Sequence, residues 1–167
     1  QLESPNGWTR DQAQRLLLEK GGIPVLEPLK EMVSSGKPLG QLHALWTLEG
    51  LGVEAPGAYL PGLASDDPVV AQAALRILEA ISKRKPGVRE ELERFIAEKY
   101  EEAPPLLQMQ MILVSDKISP GIALEKTRKF LQAYGELPVA RDVAMSSLEG
   151  REMDLFLELL PAGGAGN

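Results

Sequence analysis

The chain has 167 residues, 24 acidic against 18 basic for a formal net charge of −6, with 44% hydrophobic and 25% charged residues and no cysteine. This is the profile of a globular chain long enough for one core or a short array of repeats, not of a disordered one. An acidic surface disfavours nucleic acid, the lack of cysteine removes disulfides, thiolate metal sites, a cysteine nucleophile and covalent c-type haem, and no run approaches the roughly 18 apolar residues of a membrane span, so no membrane insertion is expected.

The first predicted helix is "GWTRDQAQRLLLEK" from Gly7, with Ala13 and Leu17 on its apolar side. The next, "PLGQLHALWTLEGL" from Pro38, sets a pattern: Ala44 at +6, Leu45 at +7, Leu48 at +10 and Glu49 at +11. "PVVAQAALRILEAI" from Pro68 repeats it with Ala74, Leu75, Leu78 and Glu79, and "SDD" at 65–67 supplies Asp67 as its cap. Between these two, "APGAYLPGLAS" is broken by Gly57, Pro61 and Gly62, which predicts a short or irregular helix. "PGVREELERFIAEKY" then places Val88, Leu92, Phe95, Ile96 and Tyr100 on one helical face. A weaker copy, "PLLQMQMILVSDK" from Pro105, keeps Met111 and Ile112 but ends in Ser115 and Asp116. "SPGIALEKTRKFLQAYG" starts with Ser119 as cap and Pro120 at the first helical position, turns Ile122, Ala123, Thr127, Phe130, Leu131 and Tyr134 inward, and stops at Gly135. The last copy, "PVARDVAMSSLEGR" from Pro138, gives Ala144, Met145, Leu148 and Glu149.

Pro38, Pro68, Pro105 and Pro138 stand 30, 37 and 33 residues apart, the spacing of helical-hairpin repeats. Positions +6, +7, +10 and +13 share one helix face, so each copy reads as a first helix and each intervening segment as a second. The expectation is an all-α chain: a right-handed α-α superhelix of about five hairpins, with repeats near 7–36, 38–65, 67–102, 104–135 and 137–161 in one domain and a Gly-rich tail at 162–167.

Pro-led hairpins with Ala and Leu at these offsets resemble HEAT repeats, a pattern shared in large part by armadillo and related solenoids. The strings "SPNGWTRDQAQRLLLEKG" at 4–21, "LHALWTLEGLG" at 42–52 and "VAMSSLEGREMDLFLELL" at 143–160 are similar to the HEAT-like segment of large exported bacterial dehydrogenase-like proteins. That family sets the segment between a β-propeller resembling sugar dehydrogenases and a c-type cytochrome module. The resemblance implies a non-catalytic spacer or docking module in the periplasm or outside the cell. A cytoplasmic location stays open. The chain holds neither propeller nor Cys-x-x-Cys-His motif, so the family's redox chemistry does not carry onto these residues. It opens on Gln1 rather than Met, as expected of a processed or excised piece. Many HEAT first helices carry an Arg after the Pro, where this chain has Gly40 and Gln41 in one copy and Ala71 in another, so no continuous Asp/Arg ladder is expected.

The candidate partner-binding residues are Trp8, Arg10, Asp11, His43 and Trp46. Laid under the Pro68 copy, His43, the only histidine, falls opposite Ala73 and Trp46 opposite Arg76, both beside the apolar stripe. The structural reading makes His43 a half-buried histidine bonded to a carbonyl or carboxylate and Trp46 a packing residue between repeats; the functional reading makes both line a groove or partner surface. Trp8 with Arg10 has the makeup of an interface anchor, while structurally Asp11 favours a helix start and Arg10 can pair with a carboxylate of the next repeat. No catalytic residue, cofactor or metal site is expected: a lone histidine makes no zinc site, the glycines form no phosphate loop, and Met109 and Met111 read as core filler. "SKRKPGVRE" at 82–90 reads as a solvated turn and the acidic pairs as caps or solvated faces. The function expected is protein binding as a scaffold. Two alternatives stand beside it: an enzyme or lyase taking a nucleobase or chromophore in a groove lined by Trp8, Trp46 and His43, and a peptide-binding module independent of any dehydrogenase. The oligomeric state is left open.

Overall fold

The computed structural model describes residues 1–148 and 150–159, and these are all-α, with no strand among them. The expected Gly-rich tail at 162–167 and the repeat position Glu149 lie outside the described residues. Ten α-helices are found: α1 Gly7–Lys20, α2 Ile23–Ser35, α3 Pro38–Gly50, α4 Leu60–Leu63, α5 Pro68–Ser82, α6 Pro86–Lys99, α7 Pro105–Ile118, α8 Pro120–Tyr134, α9 Pro138–Ser146 and α10 Glu152–Leu159. Two 3₁₀ turns join them, Pro56–Ala58 before α4 and Tyr100–Glu102 after α6. All five copies of the repeat open a helix at the expected residue, and a proline fits the first turn of four of them because its missing N–H has no intrahelical partner there.

The chain forms two compact units, residues 1–90 and 91 onward, with α6 straddling the boundary. In the first, α3 packs against α1, α2 and α5, and the short α4 packs against α2 and α5. Its core is the stripe read from the repeat: Ala44, Leu45 and Leu48 on α3 and Ala74, Leu75 and Leu78 on α5 are wholly buried. Gly62 lets α4 sit close, since a Cβ there would come within 2.9 Å of Ala74 Cβ. The expected irregular helix is thus a 3₁₀ turn and four α-helical residues. Asp67 caps α5 by accepting from the Val69 and Val70 amides.

The end of α3 explains the glycine of "LEGLG". Gly52 has φ of 73°, in the left-handed region open to glycine, and its N–H bonds Glu49 O while that of Val53 bonds Leu48 O. These two bonds close the helix and satisfy carbonyls that the last turn leaves unpaired. Helix α2 carries Pro28 in its second turn, on the solvent face, where the carbonyl it cannot bond is open to water.

In the second unit α7 packs on α8 and α9, and α8 on α9 and α10. Leu107, Met111 and Ile112 of α7, Ala123 and Phe130 of α8 and Ala144 of α9 are buried, and Ala144, Leu148 and Leu155 form a core cluster with Leu124 and Leu131 against it. The weak copy keeps its register. Ser115, where the stronger copies have leucine, is wholly buried and donates to Met111 O one turn back, which satisfies its hydroxyl. Ser119 does head α8, but no side-chain cap bond forms, and its own N–H closes α7 on Ser115 O.

One repeat position departs from expectation. Met145, at +7 of the last copy, is 63% exposed, whereas Leu45 and Leu75 at the same offset are fully buried. Helix α9 runs only nine residues, and its inward residues are Ala140, Val143 and Ala144. Among the described residues no helix is long and apolar enough to cross a membrane.

Candidate functional site

Of the five candidate residues the structure brings Arg10 and His43 into direct contact. Asn6 starts α1 by accepting from the Thr9 amide, with Gly7 as the first helical residue. The cap sets where α1 begins, and Arg10 stands in its first turns, reaching α3. Its Nη1 donates to Ser4 O at 2.6 Å and its Nε donates to His43 Nε2 at 3.1 Å. His43 Nδ1 lies 2.7 Å from Gln14 Oε1, also on α1. Because Nε2 accepts from Arg10, the ring proton sits on Nδ1 and is donated to Gln14, and both nitrogens are engaged.

His43 is half-buried and hydrogen-bonded, but its partners are side chains, Arg10 and the amide oxygen of Gln14, rather than a backbone carbonyl or a carboxylate. Arg10 meets the next repeat through that imidazole rather than through a carboxylate, because His43 occupies the position one helix over that Ala73 fills in the following copy. The imidazole is held below the usual histidine range, first by burial and then by the Arg10 charge, with Asp11 acting in the opposite sense.

The other candidates are spread around this pair. Trp8 is 71% exposed, Asp11 is exposed, and Trp46 is half-buried on α3. Beneath them the first residues act as a clasp: Leu2 is buried, and Glu3 Oε1 accepts from the Lys37 amide at 2.7 Å. Gly40 gives the Glu3 side chain room to lie against α3, since a Cβ would fall 2.5 Å from Glu3 Cγ and displace it. Gln41 is buried beside it, donating to Val33 O and accepting from Ser65. This is what stands where other first helices carry an arginine.

The first unit carries open cavities among its described residues. One of about 490 Å³ is lined by Leu2, Ala13, Leu16, Leu17, Lys20 and Val25, and another of about 410 Å³ by Gln41, Pro61, Ser65, Asp66 and Asp67 among others. Neither is lined by Trp8, His43 or Trp46. Among the described residues no three His, Asp or Glu side chains converge in a way that could hold a metal. The basic string at 82–90 is partly a brace: Arg84 pairs with Glu54 at 2.7 Å and Lys85 donates to Glu54 O.

A second polar cluster, in the other unit, had no sequence signal. Lys126 is only 7% exposed, with its ammonium 4.9 Å from the centroid of the buried Tyr100 ring and 3.3 Å from Glu101. Tyr100 Oη donates to Lys126 O, Gln108 donates to Tyr100 O, and Lys129 bridges Glu101 and Glu125. Bonds from Lys129 and then Lys126 hold Glu101 below the usual carboxylate range. Two ammoniums, Lys126 and Lys129, balance two carboxylates, Glu101 and Glu125, and the cluster ties the 3₁₀ turn to α8. Comparison of the chain with protein-family models, curated proteins and solved structures found no match.

Proposed function

We propose that this chain is a non-catalytic protein-interaction or interdomain scaffold of HEAT-like hairpins, a spacer or docking module within a larger exported redox protein. The observation that carries the scaffold reading is a repeated one. The residue after the opening proline is apolar and exposed in all four Pro-led copies: Leu39 at 48%, Val69 at 49%, Leu106 at 59% and Val139 at 47%. The residues at +6, +7 and +10 fill the core in the Pro38 and Pro68 copies, while about half of each side chain that follows the proline meets solvent. Leu39 and Val69 in one unit, and Leu106 and Val139 in the other, give each unit exposed apolar side chains of the kind that a partner surface uses. The polar clusters support the same reading, since His43, Arg10, Gln41 and Lys126 are all engaged in joining one helix to the next.

The coding region on either side of these residues tests the redox assignment: a β-propeller before and a Cys-x-x-Cys-His motif after are expected, and a reading frame with neither overturns it. Within the longer protein, changing Leu39, Val69, Leu106 and Val139 to serine should leave stability within about 0.5 kcal/mol per site. Chemical cross-links from this segment to its neighbours should fall several-fold, and unchanged cross-linking would refute the scaffold role.

A further inference from the structure

We propose that α1 is an arm released from α3 by protonation of His43. None of the residues of α1 is buried, so its hold on the unit lacks the wholly buried side chains that fix α3 and α5. Its start is held by the clasp of Leu2, Glu3 and Ser4, and its half-buried Ala13 and Leu17 lie toward Leu2 and Val25, but its hold on α3 is a short line of contacts to one face. Arg10 and Gln14 meet His43, and Leu18 lies over Gly50, where a Cβ would stand only 2.7 Å from Leu18 Cδ2. Positions 43, 47 and 50 follow one helical stripe, and Trp46 lies along its edge.

The neutral imidazole suits this junction because it offers one lone pair and one N–H, each matched by a group on α1. Protonation at Nε2 replaces the lone pair with an N–H aimed at the Arg10 N–H. Two donors and two positive charges then face each other, in place of a hydrogen bond 3.1 Å long. The charged groups that act on the ring are Arg10 and Asp11, both from α1, and Thr47 bonds the His43 backbone oxygen rather than the ring. Arg10 disfavours the charged ring and Asp11 offsets part of that. Release would carry the exposed Trp8 away and uncover the stripe beside Trp46, a change both tryptophans report.

The sign follows from the lowered imidazole. The docked form favours neutral His43, so docking is complete above the ordinary histidine value of 6.5 and is lost as pH falls below it through the lowered value. Hydrogen exchange, corrected for intrinsic rates, tests this between about pH 7.5 and about pH 5, a range in which histidine is the side chain that titrates. Protection of the α1 amides relative to those of α5 is expected to drop severalfold in acid, as the charged ring turns the Arg10 contact from a hydrogen bond into a repulsion. His43→Gln, whose carbonyl still accepts from Arg10 but does not titrate, should hold the ratio constant. Arg10→Gln should move the His43 imidazole, followed by NMR, upward toward its ordinary value. A pH-independent ratio in the wild type, the same acid loss in His43→Gln, or an imidazole unmoved in Arg10→Gln would each overturn the proposal.

Discussion

Leu75→Ala is expected to lower the unfolding free energy by about 2–5 kcal/mol, read as a shift of the denaturant midpoint at constant slope. Leu75 is wholly buried on α5, which packs against α3, and Ala74 and Leu78 of α5 and Leu45 and Leu48 of α3 are likewise without solvent exposure. Truncation removes the transfer energy of three carbons and leaves a void that helices already in contact close only in part. Leu45→Ala, at the same offset in the neighbouring copy, should behave alike. Arg76, one residue on, is exposed, and Arg76→Ala should stay within about 0.5 kcal/mol. The sharper control is Met145, the +7 residue of the last copy. It is 63% exposed, and Met145→Ala should also cost no more than about 0.5 kcal/mol. A loss at Leu75 below about 1 kcal/mol, or an equal loss at Met145, would mean that burial does not follow the register described.

That contrast marks how far the sequence could be read. Offsets +6, +7 and +10 carry enough apolar residues in the Pro38 and Pro68 copies to specify a buried stripe, and prolines with Asp67 specify where helices begin. These are local signals, set by helix geometry and by which residues tolerate a first turn. Met145 looked equivalent because the pattern counts residues and not neighbours; whether a +7 side chain is covered depends on what the next helix brings to it. The Arg10–His43 pair lay beyond reach for the same reason. Both residues could be picked out, as the only histidine and as an arginine near a helix start, but their meeting depends on how α1 lies across α3. Glu3 opposite Gly40 and Lys126 over Tyr100 gave no local sign at all, since each joins residues 25 or more positions apart whose types are ordinary on helix surfaces.

Asp116 belongs with these, because in sequence it looked like decay of the repeat. It stands at +11, where the Pro38 and Pro68 copies have Glu49 and Glu79, and its side chain is only 11% exposed. Arg151 reaches it from just before α10: Nη2 donates to Asp116 Oδ1 at 2.8 Å, and Nη1 donates to Pro120 O at 2.6 Å. One guanidinium thereby fastens the start of α10 to the end of α7 and the start of α8. Of the residues 152–157 only Leu155 is buried, while Met153, Phe156 and Leu157 are more than half exposed, so this fork is a large share of what docks α10. Arg151→Ala should therefore cost about 2–3 kcal/mol, since it strips a partly buried carboxylate of its arginine and leaves Lys117 at the surface as its remaining ionic partner. Arg151→Lys should recover at most about half of that, because an ammonium is a point charge and cannot span two acceptors held in a fork. Exchange of the α10 amides should rise in step with the loss in both variants, with α3 and α5 unaffected. If Arg151→Ala stays within about 0.5 kcal/mol, as an ordinary surface ion pair would, the fork is incidental and α10 is held by Leu155 and its neighbours alone.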